Sequence, residues 1–271
     1  MGGVNNLMPV FNLMDLKRDE LAALVDEQTI GVLPVAAIEP HGPHLPLSTD
    51  CDIAQGHLRA AQSAGCAANV LVFPIQQIGA SDEHDHFVGT LSFDADQLLQ
   101  NWYEIAARFY AWGGQRLIIM SSHGGNSAVV DQLILALRRD FEMLAVSSAW
   151  LRFGQPEGLF DAHERKYGIH GGDIETSLML HYAPDKVDMD KARDCANSLG
   201  EIEAQSKHLT GFGKHRFGWM SDDLHEEGVV GNAKAATAEK GAASAAHAVE
   251  GFFELVEDVA KFDLSRFENK E

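Results

Sequence analysis

The segment Glu39-Pro40-His41-Gly42-Pro43-His44-Leu45-Pro46, followed by Asp50, holds the residue types best suited to chemistry in this 271-residue chain. Two carboxylates and an imidazole, with no thiolate, form a hard-to-intermediate donor set that suits Zn, Mn or Fe. Glu39 and His41 are two residues apart, so in extended chain they point to the same side. Gly42, Pro43 and Pro46 force the backbone to turn, which can return Asp50 to the same place. A Glu-x-His pair alone is common by chance and equally at home in a polar strand-end loop. A second cluster, His123-Gly124-Gly125-Asn126, follows an apolar run and opens a helix. A third, Gly168-Ile169-His170-Gly171-Gly172-Asp173-Ile174-Glu175-Thr176, sets His170 between flexible residues and Glu175 in the first turn of a helix. His170 suits a proton carrier, whereas Glu175 alone is as well explained by the helix dipole. The polar stretch Ser81–Thr90, which includes Ser81, His84 and His86, offers further groups or a solvated loop.

Apolar runs define the elements that must hold these groups. Gln28–Ile38, Asn69–Pro74, Arg116–Ser121 and Met143–Trp150 lack period-two alternation and read as strands buried on both faces. Between them lie helical stretches: Asp52–Gly65, a helix capped by Asp94 and running to Trp112, and one after Asn126 ending near Arg139. Strand–helix alternation predicts an α/β fold, a three-layer α/β/α sandwich with a mostly parallel sheet. Glu39 and His123 each follow a strand, at the carboxyl edge where open α/β sheets bind ligands. Further on, Asp173–Tyr182 reads as a short helix, Glu201–Gly218 as polar chain with glycine turns, and Ala233–Phe262 as a long helix. No repeat or linker divides the chain, so residues 1–271 are expected to form one domain. Trp102, Tyr103 and Phe109 on one helix read as core or subunit interface, and Cys51 and Cys66 as small buried hydrophobes.

The chain carries 21 Lys and Arg against 40 Asp and Glu, a net charge of −19, which disfavours nucleic acid and anionic membranes as partners. No apolar run approaches the ~18 residues of a membrane span. Three cysteines and no signal-like start predict a cytoplasmic protein. A glycine loop before a helix can also cradle phosphate. Against that, the chain lacks GxGxxG at this point, and the first basic residue after the loop is Arg138.

Taken together, E-x-H-G-P-H-L-P with a downstream Asp, strand–H-G-G-N and H-G-G-x-x-E-T-S resemble the creatininase (creatinine amidohydrolase) family. The likeness runs from about Gly31 to the Gly228–Gly241 segment. It implies a creatininase-like metallohydrolase with two divalent metal ions per chain, and a homo-oligomer, often a hexamer. Carried over by motif, Glu39, His41, Asp50 and His123 correspond to metal ligands, with Asp50 bridging. His170 corresponds to the catalytic histidine, and Ser81 and Gly124 to substrate-contacting positions; His86 is a further substrate-binding candidate. The family's creatininase has Glu where Gly125 stands here, so another residue must complete the second metal's shell. Glu175 is nominated for that place and for a share in catalysis. Pro40 and Phe87-Val88-Gly89-Thr90 also depart from the family pattern. Glu164–Ile169 contains no Trp, the residue that packs on creatinine, so creatinine is not the expected substrate.

The expected activity is amidohydrolase chemistry: cleavage of a C–N bond in a small, cyclic amide by a metal-bridging hydroxide, with His170 carrying the proton. The same motifs accommodate a formamide, a peptide or a cyclic ketone opened at a C–C bond. Readings of another class are a non-catalytic metal-binding protein and a nucleotide-binding protein. His208, His215 and His225 lie in a polar segment whose role the sequence leaves open.

Overall fold

The computed structural model describes residues 8–66, 68–196 and 198–267. The chain begins with β1 (Val10–Asn12), α1 (Arg18–Leu24), β2 (Ile30–Val35), α2 (Thr49–Ala64) and β3 (Val70–Val72). It continues through α3 (Ala95–Ala111), β4 (Arg116–Ser121), α4 (Ser127–Phe141) and β5 (Leu144–Ala149). After β5 come α5 (Ala162–Tyr167), α6 (Asp173–Tyr182), β6 (Asp194–Cys195), α7 (Leu199–Gln205), α8 (Ser221–Leu224), β7 (Gly231–Asn232) and α9 (Ala238–Lys261). β1 to β5 form one parallel sheet in the order β1-β3-β2-β4-β5, while β6 and β7 make a small antiparallel pair.

The sheet is covered on both faces, which is why its central strands read as unbroken apolar runs. All six residues of β2 and of β4 are buried. Alternate side chains serve opposite layers. Ile30, Val32, Val70, Val72, Ile118 and Met120 pack with Leu58 and Ala61 of α2 and Phe252 and Val256 of α9. Leu33, Val35, Leu71, Leu117 and Ile119 pack with Trp102 and Phe109 of α3 and Leu133 and Leu137 of α4. Burying one such Phe or Leu contributes ~1.5–3 kcal/mol.

Local chemistry sets the helix limits. α2 stops at Gly65, whose φ of 71° favours glycine. Asp94 stands at the N-cap of α3, as its position before Gln97 predicts. The last long helix starts at Ala238, later than the expected Ala233, because Thr237 accepts the Lys240 amide and caps it there. Ala233–Ala235 form a separate 3-10 turn. Part of the expected polar stretch Glu201–Gly218 is helical, in α7. Cys51, Cys66, Trp102 and Phe109 are buried as expected. Among the described residues no helix is long and apolar enough to cross a membrane.

This register positions the chemistry. Val35 pairs with Ser121 at the ends of β2 and β4. The loops that carry Glu39 and His123 therefore leave the sheet side by side at its carboxyl edge. α2 and α6 pack together beneath that edge, so Asp50 and Glu175, each in a first turn, approach from the same side.

Candidate metal centre

Glu39, His41, Asp50 and His123 converge and are almost wholly buried, none more than 7% exposed. Asp50 straddles two groups of donors. Its Oδ2 lies 3.3 Å from His123 Nδ1, which is 3.2 Å from Glu39 Oε1. Its Oδ1 lies 3.4 Å from His41 Nε2, which is 3.8 Å from Glu175 Oε2. Two triads result, Glu39–Asp50–His123 and His41–Asp50–Glu175, each with its donor atoms within 4.8 Å of one another. A third, Glu39–His41–His170, meets the same condition.

Backbone carbonyls, which only accept, fix the imidazole tautomers. His41 Nδ1 donates to the Glu39 carbonyl at 3.1 Å, so Nε2 is the atom turned toward Asp50. His123 Nε2 donates to the Ala80 carbonyl at 2.8 Å, leaving Nδ1. His170 Nε2 donates to the Pro40 carbonyl at 2.8 Å, so its Nδ1 faces Glu39 Oε1 at 3.6 Å. Such outer partners hold a ligating ring in orientation. Among the described residues Glu39 Oε1, His41 Nε2 and Asp50 Oδ2 find no hydrogen-bond partner although they are buried, an arrangement that costs stability unless a cation joins them. The donor set thus fits divalent cations.

The electrostatics of the cluster point the same way. Burial alone would raise the carboxyl of Glu39, but the charge and hydrogen bond of His123, with the charge of His41, hold it well below the usual range. Burial likewise opposes charge on His41, yet Asp50, then Glu175 and Glu39, lift it to about 9. His123 is raised well above its ordinary value by Glu39 and Asp50 against the same penalty. Burial pushes Glu175 up to about 7, with His41 opposing. The site therefore demands compensating positive charge. His170 is the exception: burial and the positive His41 hold it well below its ordinary value.

The remaining expected residues lie at graded distances. Ser81 is fully buried and donates its hydroxyl to Glu39 Oε2 at 2.6 Å. Gly124 lines the cavity above the cluster. Glu175 accepts the Gly171 amide. His86 is not brought to the cluster; its side chain is 58% exposed and its Nδ1 donates to Asp222 Oδ2 at 2.8 Å. His44, within the first motif, turns away to contact the Gly171 carbonyl and Thr176 hydroxyl.

The fold also brings here residues to which sequence reasoning assigns no definite role: His84, which it places only in the polar Ser81–Thr90 stretch, Glu83 and Glu164. His84 is 3% exposed, with Nε2 3.6 Å from Glu39 Oε1 and its ring 4.3 Å from that of His170. Glu83 Oε1 stands 3.6 Å from His123 Nε2, beside Gly125, where a Cβ would meet that carboxylate. The Asp-Glu-His-Asp-His run was the available signal. Glu164 has none in the sequence. It is 3% exposed and accepts the amides of Asp173 at 2.6 Å and Asn232 at 2.9 Å, and that of Ile174. Burial raises its carboxyl against those amides. A Cβ on Gly168 or Gly172 would strike that carboxylate, so both positions need glycine. Next to it, His170 and Val230 exchange backbone hydrogen bonds.

A cavity of about 460 Å³ opens over the cluster. Glu39, Asp50, His123, His170 and Glu175 contribute to its floor, and Phe212, Phe217 and Trp219 to its wall.

A parallel sheet clothed by helices, with metal-ligating clusters at its carboxyl edge beneath a cavity, defines an α/β protein of the metal-binding hydrolase class. The creatininase family model, described as creatinine amidohydrolase, matches residues 14–256, and the chain belongs to that family. A mycofactocin precursor peptide peptidase of Mycolicibacterium smegmatis is 31% identical over 224 residues, covering 81% of each chain. A creatinine amidohydrolase of Pseudomonas putida is 32% identical over 184 residues, 60% of this chain and 68% of that protein. A mutant creatininase solved in complex with creatine superposes with a TM-score of 0.74 at 26% identity, covering 93% of this chain and 100% of the other. Creatininases of the same fold, 24% identical to this chain, have been solved in a Zn–Zn form and with Mn.

Proposed function

We propose that this creatininase-family hydrolase cleaves the amide C–N bond of a small molecule at a dinuclear metal centre. The observation that carries the reading is Asp50, whose two carboxylate oxygens face different imidazoles in two triads that share it. In this reading Glu39, Asp50 and His123 hold one ion, and His41, Asp50 and Glu175 the other. Divalent cations held there would polarise a substrate carbonyl and lower the pKa of water.

The chain's own residues supply the rest. Burial and the charge of His41 hold His170 well below its ordinary value, and its Nε2–H is committed to the Pro40 carbonyl, so in this reading Nδ1 is the atom that takes and returns a proton. Such a role is worth roughly 10²–10⁴-fold in rate. Ser81 pins one oxygen of Glu39 and leaves the other directed at His123. Glu175, held by the Gly171 amide, couples the second triad to the loop that carries His170. Gly124 leaves the cavity open on the His123 side, since a Cβ there would meet nothing within 4 Å.

A peptide is the second reading of the substrate. It is supported by the relative from Mycolicibacterium smegmatis, named a peptide peptidase and alike over 81% of its length.

Metal content per chain, on protein purified without chelator, tests the proposal. The expected result is two equivalents of Zn, Mn or Fe, lost in Asp50→Ala, and turnover of an amide panel by metal-loaded but not metal-free protein. His170→Ala is expected to keep its metal and lose turnover. Content near zero that stays there when metal is added overturns the reading, and metal loss in His170→Ala overturns the role given to that residue.

A further inference from the structure

One segment that contributes to the cavity wall is basic in an otherwise acidic chain. In a protein of net charge −19, residues 204–221 contain no Asp or Glu but include Lys207, Lys214 and Arg216, with His208 and His215 beside them. The segment folds back on itself through Thr210, which receives the Phe217 amide on its carbonyl and donates its own amide to the His215 carbonyl. Its aromatic side is anchored. Phe217 and Trp219 pack against the buried cluster of Leu199, Leu224 and Val230, and the Trp219 indole donates to the Gly211 carbonyl at 3.1 Å. Phe212 meets Trp219 edge to face at 5.5 Å.

Among the described residues that line the cavity Arg216 is the one Lys or Arg, and the acidic members Glu39, Asp50, Glu83 and Glu175 lie toward the cluster. It is exposed, and among the described residues its guanidinium has no acidic partner within ion-pair distance. An arginine placed in a cavity wall without a counter-ion is a ready receptor for a carboxylate, which its planar fork matches. The adjoining aromatic faces are equally ready for an apolar group. Scattered solubilising lysines would be interleaved with acids, as they are elsewhere in this chain.

We infer that Arg216 and the Phe212–Phe217–Trp219 wall select a substrate that bears a free carboxylate next to an apolar group. The inference rests on the proposed function in placing the substrate in this cavity, and it deepens that reading by naming the substrate's charge. Arg216 acts as a specificity residue. The basic segment around it attracts such an anion toward a protein whose overall field repels it.

Equilibrium binding to the metal-loaded protein tests this with two ligands that cannot be hydrolysed, 3-phenylpropionate and uncharged 3-phenylpropan-1-ol. Calorimetry is expected to give at least about tenfold tighter binding of the acid. In Arg216→Gln that preference should fall below about threefold while the alcohol binds as before, and Arg216→Lys should retain part of it. Equal binding of acid and alcohol by the unaltered protein overturns the inference. So does a preference that survives in Arg216→Gln, which would place the carboxylate on the metals. Because no turnover is read, a failure of the amide-hydrolase reading would leave this result standing, and the reverse holds as well.

Discussion

Glu164 invites the most informative perturbation, because its whole effect passes through hydrogen bonds to the segments that hold the site. Its carboxylate gathers the amides of Asp173, Ile174 and Asn232 and lies against Gly168 and Gly172. Those amides belong to the start of α6, which carries Glu175, and to β7, which continues from the Val230 partner of His170. Glu164→Ala orphans three buried donors at ~1–3 kcal/mol each, so ~3–9 kcal/mol before water enters the space. Water can satisfy some of them, which brings the expected loss to the low end, about 3 kcal/mol, out of the ~5–15 kcal/mol that holds a domain together. Glu164→Gln keeps one acceptor oxygen but turns an NH₂ toward an amide that also donates, and should cost about 1–3 kcal/mol. Urea denaturation of the two variants and the parent at pH 7 gives both numbers. The order Ala worse than Gln worse than parent is expected. A loss under about 1 kcal/mol in Glu164→Ala would refute the claim that this carboxylate ties α6 to β7.

Two further outcomes follow from buried groups away from the site. His57 is 1% exposed, stacked on Trp150 at 4.5 Å, and accepts the Tyr182 hydroxyl on Nδ1 at 3.0 Å. Burial, with the charge of His181, pushes it down to about 3. The unfolded chain therefore binds a proton at His57 that the native state refuses, so its contribution is present above pH ~6.5 and lost as pH falls. The loss should be about 2 kcal/mol between pH 7.5 and 5, absent from a His57→Leu variant, as read by urea denaturation at each pH. Gly241 on α9 faces the Ser177 carbonyl of α6 so closely that a Cβ would land on it. Gly241→Ala should destabilise by ~1–3 kcal/mol despite alanine's better helix propensity, and an unchanged or raised melting temperature would count against that packing.

Much of the sheet was legible because burial on both faces writes itself into the sequence. Arg116–Ser121 and Asp173–Tyr182 form a strand and a helix with the limits expected from the sequence. β1 was not, since three residues are too few to establish a pattern. The metal-ligand candidates were legible because glycine and proline turns beside Glu, His and Asp at strand ends are chemically unusual. The Asp-Glu-His-Asp-His run shows where such reading stops. A 3-10 turn at Asp82–His84 turns His84 inward and leaves His86 on the surface, a choice made by backbone geometry that composition does not record. Glu164 was invisible for a related reason. A buried carboxylate in a short helix announces itself only when the amides it serves, up to 68 residues away, are folded around it. The aromatic wall and Arg216 come from a stretch without periodicity, where residue types are plain and direction is not.

α9 shares one face of the sheet with α2, its Phe252 and Val256 packing with Ile30, Val32, Ile118 and Met120 of β2 and β4, which come early in the chain. Its last carbonyls, at Val259 and beyond it at Phe262, are held by the Arg116 guanidinium at the start of β4. During synthesis from the N-terminus, then, the α3–α4 side of the sheet can close while the other side has only α2 to cover it. The part that α9 covers stays open until residue 261 has left the ribosome. The growing chain accordingly carries a half-covered sheet face through much of its translation, a state in which chaperone protection matters most.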